Sequence, residues 1–371
     1  MKKLLVSICT ALFILSAPLS AFEWGGVIKD DTGITTPDFK DITFKQSNAL
    51  SLWFKAPLGD SAFKLTGEGL YKYNLSVTKD STDFENILDL PLLKVDGKIN
   101  AGKGLLSIAA GRFSTADATG AVFAQTSDGL SVNYALDTVK LGAYAGFTGL
   151  LNGLNVAMTA APEKDNKVYN PAYPYVPLGL TVELPSLFLN QNLTLQGYAL
   201  FDCGSNKSSS YYGNLVLAGP ITNIIYYNLS TSLASVNFKG FMNYTGFTLY
   251  VFPTEEIAVN AGLDFATADQ GKLLAFTSLS PKGAEVSGKI TPRAGFTYGN
   301  DVMCIELGGK FKIAYDSEKA KYAASSADIN AGFVYNIFSD LQLGLNVTAQ
   351  IDATEAKQNN FIANLNLALA F

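Results

Sequence analysis

The chain of 371 residues contains no histidine. That absence removes Ser-His-Asp and Cys-His catalysis, and it removes the commonest metal ligand. No catalytic, metal or cofactor site is therefore expected. Cysteine is almost missing as well: Cys9 sits in the N-terminal apolar stretch, which leaves Cys203 and Cys304. Charged residues make up only 16% of the chain, against about 25% in an ordinary soluble domain. The net charge of −5 is mild, which excludes a nucleic-acid partner as the organising theme. Beyond the first twenty residues no apolar run reaches the roughly 18 residues a spanning helix needs. No linker, charge block or low-complexity segment divides the chain.

What is present is grease in short alternating pieces. Hydrophobic residues make up 48% of the chain and aromatics 12%. Met1-Lys2-Lys3, the apolar stretch Leu4 to Leu15 and the small residues ending at Ala21 read as a secretory leader over 1–21. The remainder, 22–371, reads as one domain. Its last eleven residues place Phe361, Leu365, Leu367, Leu369 and Phe371 on one face and Asn364 and Asn366 on the other. That is the two-residue period of a strand. The same alternation recurs in Leu341 to Asp352, Ala62 to Val77, Met303 to Ile313 and Val139 to Phe147.

Alternation alone also fits a soluble sandwich. The predicted strands are longer, about 10 to 14 residues. Aromatics gather near their ends, and short turns such as Pro57-Leu58-Gly59-Asp60 and Asp137-Thr138 alternate with longer polar loops. These features predict an all-β, antiparallel, up-and-down transmembrane barrel with a lipid-facing apolar band and two aromatic girdles. Counting by the alternation of short and long connections predicts 18 strands, with 16 as the alternative. Both termini then share one rim, and Phe361–Phe371 closes the barrel against the strand near Trp24. Cys203 and Cys304 fall on distant parts of the wall, beyond disulfide reach.

A lysine facing lipid at mid-membrane costs about 2–4 kcal/mol, which fixes the register. Lys64, Glu68, Lys72, Lys94, Lys98, Arg112, Lys140, Lys289, Arg293, Glu306, Lys310 and Lys312 are expected to line the lumen. Bases outnumber the inward acids Glu68, Asp96, Glu285 and Glu306, so a weak preference for anions is expected. A barrel of this size is too wide for side chains to fill. Two loops are candidates to narrow it, 114–127 and 149–177.

Together, the leader, the strand pattern and the terminal Phe371 resemble a porin-type outer-membrane β-barrel. The segment Gly111-Arg112-Phe113, Asp117, Gly120, Asp128-Gly129 and Tyr134 is similar to the strand–loop–strand that carries the constriction loop in porins. The resemblance implies an Arg112–Asp117 eyelet pair and passive diffusion of small hydrophilic solutes. It implies placement in outer-membrane lipid and recognition of the C-terminal strand by the barrel-assembly machinery. It leaves assembly as a homotrimer open. The barrel enzymes of this class rely on histidine. Two other readings remain: a surface adhesin acting through its outer loops, and a plugged transporter for apolar ligands with residues 22–46 as a small hatch.

Overall fold

A computed structural model describes residues 22–156, 168–205, 207–267, 279–316, 321–354 and 359–371. The expected leader, 1–21, lies outside the described residues, as does the middle of the 149–177 loop.

Eighteen strands form a single sheet that closes on itself. In chain order they are β1 (Glu23–Pro37), β2 (Thr43–Pro57), β3 (Phe63–Val77), β4 (Thr82–Ala101), β5 (Gly104–Ala116) and β6 (Ala124–Ala135). Then follow β7 (Lys140–Phe147), β8 (Tyr175–Phe188), β9 (Gln191–Asp202), β10 (Ser210–Pro220), β11 (Ile225–Val236) and β12 (Met242–Val251). The last six are β13 (Ile257–Ala266), β14 (Lys289–Gly299), β15 (Met303–Asp316), β16 (Lys321–Asn336), β17 (Leu341–Asp352) and β18 (Asn360–Ala370). Each strand pairs antiparallel with its neighbours in sequence, for instance β2 with β3 and β17 with β18. The expected 18-stranded up-and-down barrel is the fold observed.

The barrel closes where the C-terminal strand was expected to close it. β18 lies antiparallel to β1, from Val27 opposite Ala370 to Pro37 opposite Asn360. One further rung joins Gly26 and Phe371, each N–H donating to the other's carbonyl at 2.9 and 3.0 Å. Glycine is required next to this rung, because a Cβ on Gly25 would stand 2.7 Å from the Phe371 carbonyl oxygen. The strand that was to pair near Trp24 runs on to Pro37, so the seam is longer than its N-terminal pattern suggested. Residues 22–46, the candidate hatch, are built largely into β1 and β2 of the wall, which removes the hatch.

One strand is broken locally. Along β3 the partners step from Leu92 opposite Glu68 to Asp89 opposite Leu70, so Leu90 and Pro91 together face Gly69. A bulge tolerates a proline because no ladder N–H is needed there.

The rim carrying Glu23 and Phe371 holds short connections throughout. On the other rim, here the outer rim, only the fourth loop (148–174) and the seventh (267–288) are long. The seventh contains the one helix among the described residues, α1 (Pro281–Val286). The wall's inward face is identified by the third outer loop, 117–123, which hydrogen-bonds to Gln196 and Asn214. Their alternates Leu195 and Leu215 therefore face out. The same parity sends Leu365, Leu367 and Leu369 outward, where they are about two-fifths to one-half exposed, as the lipid-facing band of a barrel must be.

Candidate channel and its constriction

The lumen is polar by sequence, but one side of it is packed. Ala121, Val122 and Phe123 of the third loop join Leu279 and Val286 of the seventh against an inward patch of β9 to β13. Tyr198, Tyr212, Met242 and Tyr244 supply the wall side of this core, and all are buried. Burying these side chains drives both loops into the barrel, since each fully buried large apolar side chain is worth about 1.5–3 kcal/mol.

Asp117 gives the third loop its shape. One carboxylate oxygen accepts from the backbone N–H of Val122 at 2.9 Å and of Phe123 at 2.8 Å. The other accepts from the Thr119 N–H at 2.8 Å and the Thr119 hydroxyl at 2.6 Å. Asn214 on β10 donates to the same oxygen at 3.2 Å. Gly120, with φ of +66°, makes the turn between these bonds. The Ala118 N–H donates to Gln196 on β9 at 2.8 Å, so the loop is moored to two wall strands.

The seventh loop is tied to the third. Phe123 and Leu279 form a parallel bridge, and the Ala124 N–H donates to the Leu279 carbonyl at 2.9 Å. Ser280 does two things: it caps α1 by accepting from the Gly283 N–H at 3.2 Å, and it donates to the Gly120 carbonyl at 2.5 Å. Lys282 donates to the Thr119 carbonyl at 3.1 Å and stands 4.8 Å from the centroid of the Tyr244 ring. Burial lowers the Lys282 ammonium below the usual lysine range, with Asp264 and Asp117 opposing the shift and Arg293 adding to it.

The inward charges are mostly paired. Lys64 and Lys94 share Asp96 at 3.5 and 3.3 Å, and Lys140 meets Glu183 at 2.7 Å. Arg293 donates to Asp264 at 2.8 Å and to the Thr248 hydroxyl at 2.7 Å. Lys310 bridges Glu285 of α1, at 2.5 Å, and Asp328, at 3.5 Å; Lys312 holds Asp328 at 2.7 Å. Lys289 donates to the Glu285 carbonyl at 2.8 Å. Among the described residues, Lys72 and Lys98 have no carboxylate within ion-pair distance, and neither have Lys29 and Lys45. Glu68 and Glu306 likewise lack a cation. Lys29, Asp31, Lys98 and Glu306 point inward and are exposed, which means water reaches the wall on the side of β15–β18 and β1–β5.

Arg112 departs from expectation. It does not meet Asp117. It forms a two-point pair with Asp128 across β6, with both nitrogen–oxygen distances 2.8 Å. It also donates to the carbonyls of Leu90 and Leu150, at 3.3 and 2.6 Å, with Asp89 at 4.0 Å. The pairing places Arg112 and Asp128 in one row, two residues from the outward pair Ala110 and Leu130, while Phe113 and Ser127 face the lumen. The reason lies in β4, whose partnership with β5 ends at Leu93 opposite Arg112. Above that point the edge of β4 is taken by the fourth loop: the Leu88 N–H donates to the Val168 carbonyl at 3.0 Å, and Asn152 donates to the Leu88 carbonyl at 3.1 Å. Arg112 is the clasp where three segments meet. The described part of the 149–177 loop thus patches the wall, and it is the seventh loop that joins the third in the lumen.

Sequence reasoning missed Asp328, Glu183, Leu279 and Lys282, and it placed Asp128 in the constriction segment without pairing it with Arg112. Glu285 was expected on a wall strand; it lies on α1 and still reaches the wall through Lys310. Cys203 and Cys304 are both free.

No family model matches the chain, and no curated protein is similar to it in sequence. Solved structures do match. Pseudomonas aeruginosa OpdQ is 11% identical, with 95% of this chain and 99% of that one covered and a TM-score of 0.60. P. aeruginosa OpdK, solved with vanillate, is 11% identical over 94% and 99%, with a TM-score of 0.59. P. aeruginosa OccK7 (OpdD) is 9% identical over 95% and 99%, with a TM-score of 0.61. Another structure of OpdK is described as an outer membrane protein. At these identities the likeness is one of fold: the chain shares the barrel fold of these structures.

Proposed function

We propose that the protein is a passive diffusion channel for small hydrophilic solutes in a bacterial outer membrane. The observation that carries this reading is the divided lumen. The third and seventh loops pack one side shut, while charged, water-exposed side chains line the other. An 18-stranded barrel leaves more interior than side chains can fill, and loops held by a buried carboxylate and an apolar core make a fixed constriction. The reading needs no catalysis.

Because most inward charges are paired, ion selectivity is weak. Among the described residues, the inward lysines without an ion-pair partner, Lys29, Lys45, Lys72 and Lys98, are offset by the inward acids Asp31, Glu68 and Glu306, so the tilt toward anions is small. The expected leader, 1–21, and the terminal strand ending at Phe371 support export followed by insertion through the barrel-assembly machinery, and the outward apolar band supports placement in outer-membrane lipid. The test is electrical. Purified protein reconstituted in a planar bilayer gives discrete conductance steps; a folded barrel that never conducts overturns the reading.

A further inference from the structure

The open side of the lumen carries a strip without charge. Below Asp352 the inward positions of β17 and β18 hold no charged side chain. They hold carboxamides, separated by small residues, Thr348 and Ile362. Gln350 and Asn360 lie toward the outer rim, Asn346, Asn364 and Asn366 at mid-height, and Gln342 toward the inner rim. Asn330 extends the strip onto β16. Glycines stand opposite several of these amides: Asn330 faces Gly308, Asn346 faces Gly332 and Asn364 faces Gly33. A Cβ on Gly308 or Gly332 would stand 2.6 or 2.9 Å from the amide oxygen, and one on Gly33 closer still. Each amide therefore lies flat over the neighbouring strand, which leaves a trough along the wall. The amides are also linked. Asn360 donates to Gln350 at 3.1 Å. With its amide turned so that donor meets acceptor, Asn366 donates to Asp31 and accepts from Asn346, both at 3.0 Å. Trp53 on β2 marks the inner end. It lies opposite Gly25 and Glu68, and its indole covers Gly25, where a Cβ would stand 2.8 Å from the ring. The other face of the ring is left to the lumen, and the residue is 37% exposed.

A carboxamide has no net charge, and it both donates and accepts. It does not replace the hydration of an ion as a charged group does. A solute bearing many hydroxyls has the matching property, since each hydroxyl also donates and accepts. Such a solute exchanges bonds to water for bonds to the wall, with a modest net gain for each bond. Donors and acceptors along a pore select in this way among the solutes that fit it. The C–H face of a sugar ring is apolar and packs on a flat aromatic surface. Glu68 beside Trp53 adds strong acceptors for the ring's hydroxyls. A trough of amides that ends on an exposed indole and a carboxylate therefore suits an uncharged, polyhydroxylated solute.

We propose that the β16–β18 strip and Trp53 form a binding track for uncharged mono- and oligosaccharides. The proposal rests on the reading of the lumen as a solute path and names the class of solute. The test reads Trp53 directly. Trp24 and Trp53 are the two tryptophans of the chain, and Trp24 faces outward by the same alternation. The full chain with Trp24→Phe, folded in detergent, is titrated with maltotriose. A saturable change in Trp53 emission is expected, and none with a methyl-capped glycol polymer of equal mass, whose ether oxygens accept but cannot donate. Asn346→Ala combined with Asn364→Ala, in the same background, is expected to weaken binding about tenfold, the loss of one or two neutral hydrogen bonds. The heat-dependent gel mobility of a folded barrel is expected to stay. No saturable response, an equal response to the polymer, or unchanged affinity in the double variant overturns the proposal. A second measurement places the wild type in a planar bilayer. Maltotriose is expected to interrupt the potassium chloride current, and Trp53→Ala to shorten each interruption several-fold. A steady current that the sugar leaves untouched also overturns the proposal. A folded barrel that never conducts overturns the channel reading alone, and the titration then still decides the track.

Discussion

Asp117 and Asn214 are 97 residues apart in the chain and meet at 3.2 Å inside the barrel. The carboxylate accepts five hydrogen bonds, four from its own loop and one from the wall. Asp117→Asn replaces one accepting oxygen by a donor facing other donors. Leaving such buried groups unsatisfied costs about 1–3 kcal/mol. The variant is expected to fold, to melt earlier and to show a larger, noisier open level, because the third loop loses its shape. Single-channel recording and thermal melting of the same preparation check both effects; an unchanged conductance would mean the loop does not set the constriction.

Ser280 joins the two lumen loops and caps α1 with one hydroxyl. Ser280→Ala removes the bond to Gly120 and the cap, together worth about 1 kcal/mol or somewhat more. The expected result is a rise in spontaneous transitions to a larger conductance. Lys282 adds a pH dependence. Its proton is held less tightly in the docked loop than in a free one, so docking gains stability as pH rises through the window between the lowered value and about 10.5. Excursions to the larger level should therefore become rarer on the alkaline side, and Lys282→Met should remove that trend.

The wall was legible in the sequence because a period of two records which face meets lipid, and a misplaced charge there is costly. Leu365, Leu367 and Leu369 announce their side without any knowledge of their partners. The lumen was less legible. Asp328 becomes the partner of Lys310 and Lys312 only through the register of β15 on β16. Leu279 meets Phe123 only because two loops more than 150 residues apart fold into one space. Asp117 and Arg112 were expected to face each other as an eyelet pair, but each finds local or wall partners in place of the other.

Arg112→Lys tests the clasp. A lysine keeps the charge but cannot make the two-point contact with Asp128 while also reaching the carbonyls of Leu90 and Leu150. Hydrogen bonds to charged groups are worth about 1.5–3 kcal/mol each, so the unfolding temperature of the barrel is expected to drop and the fourth loop to become more sensitive to protease. Conductance and ion selectivity should stay close to wild type, because the side chain lies in the wall. A clear change in selectivity with unchanged stability would return Arg112 to the lumen.

Asp328 tests where selectivity comes from. It accepts Lys312 at 2.7 Å and Lys310 at 3.5 Å, and its side chain is 8% exposed while theirs are 18% and 32%. In Asp328→Asn the fold of β15 and β16 keeps its hydrogen-bonded ladder, but one negative charge leaves and two ammonium groups face the water with only Glu285 left to offset Lys310. The reversal potential in a salt gradient should move toward anions. Lys310→Glu should move it the other way, since it removes a cation and adds an acid beside Glu285. Because the site lies beside water, salt screening weakens both shifts, and they should shrink as the ionic strength rises. Equal selectivity in wild type and both variants would show that the open path runs along a different stretch of wall, with the β2–β5 lysines Lys45, Lys72 and Lys98 the next to be reversed.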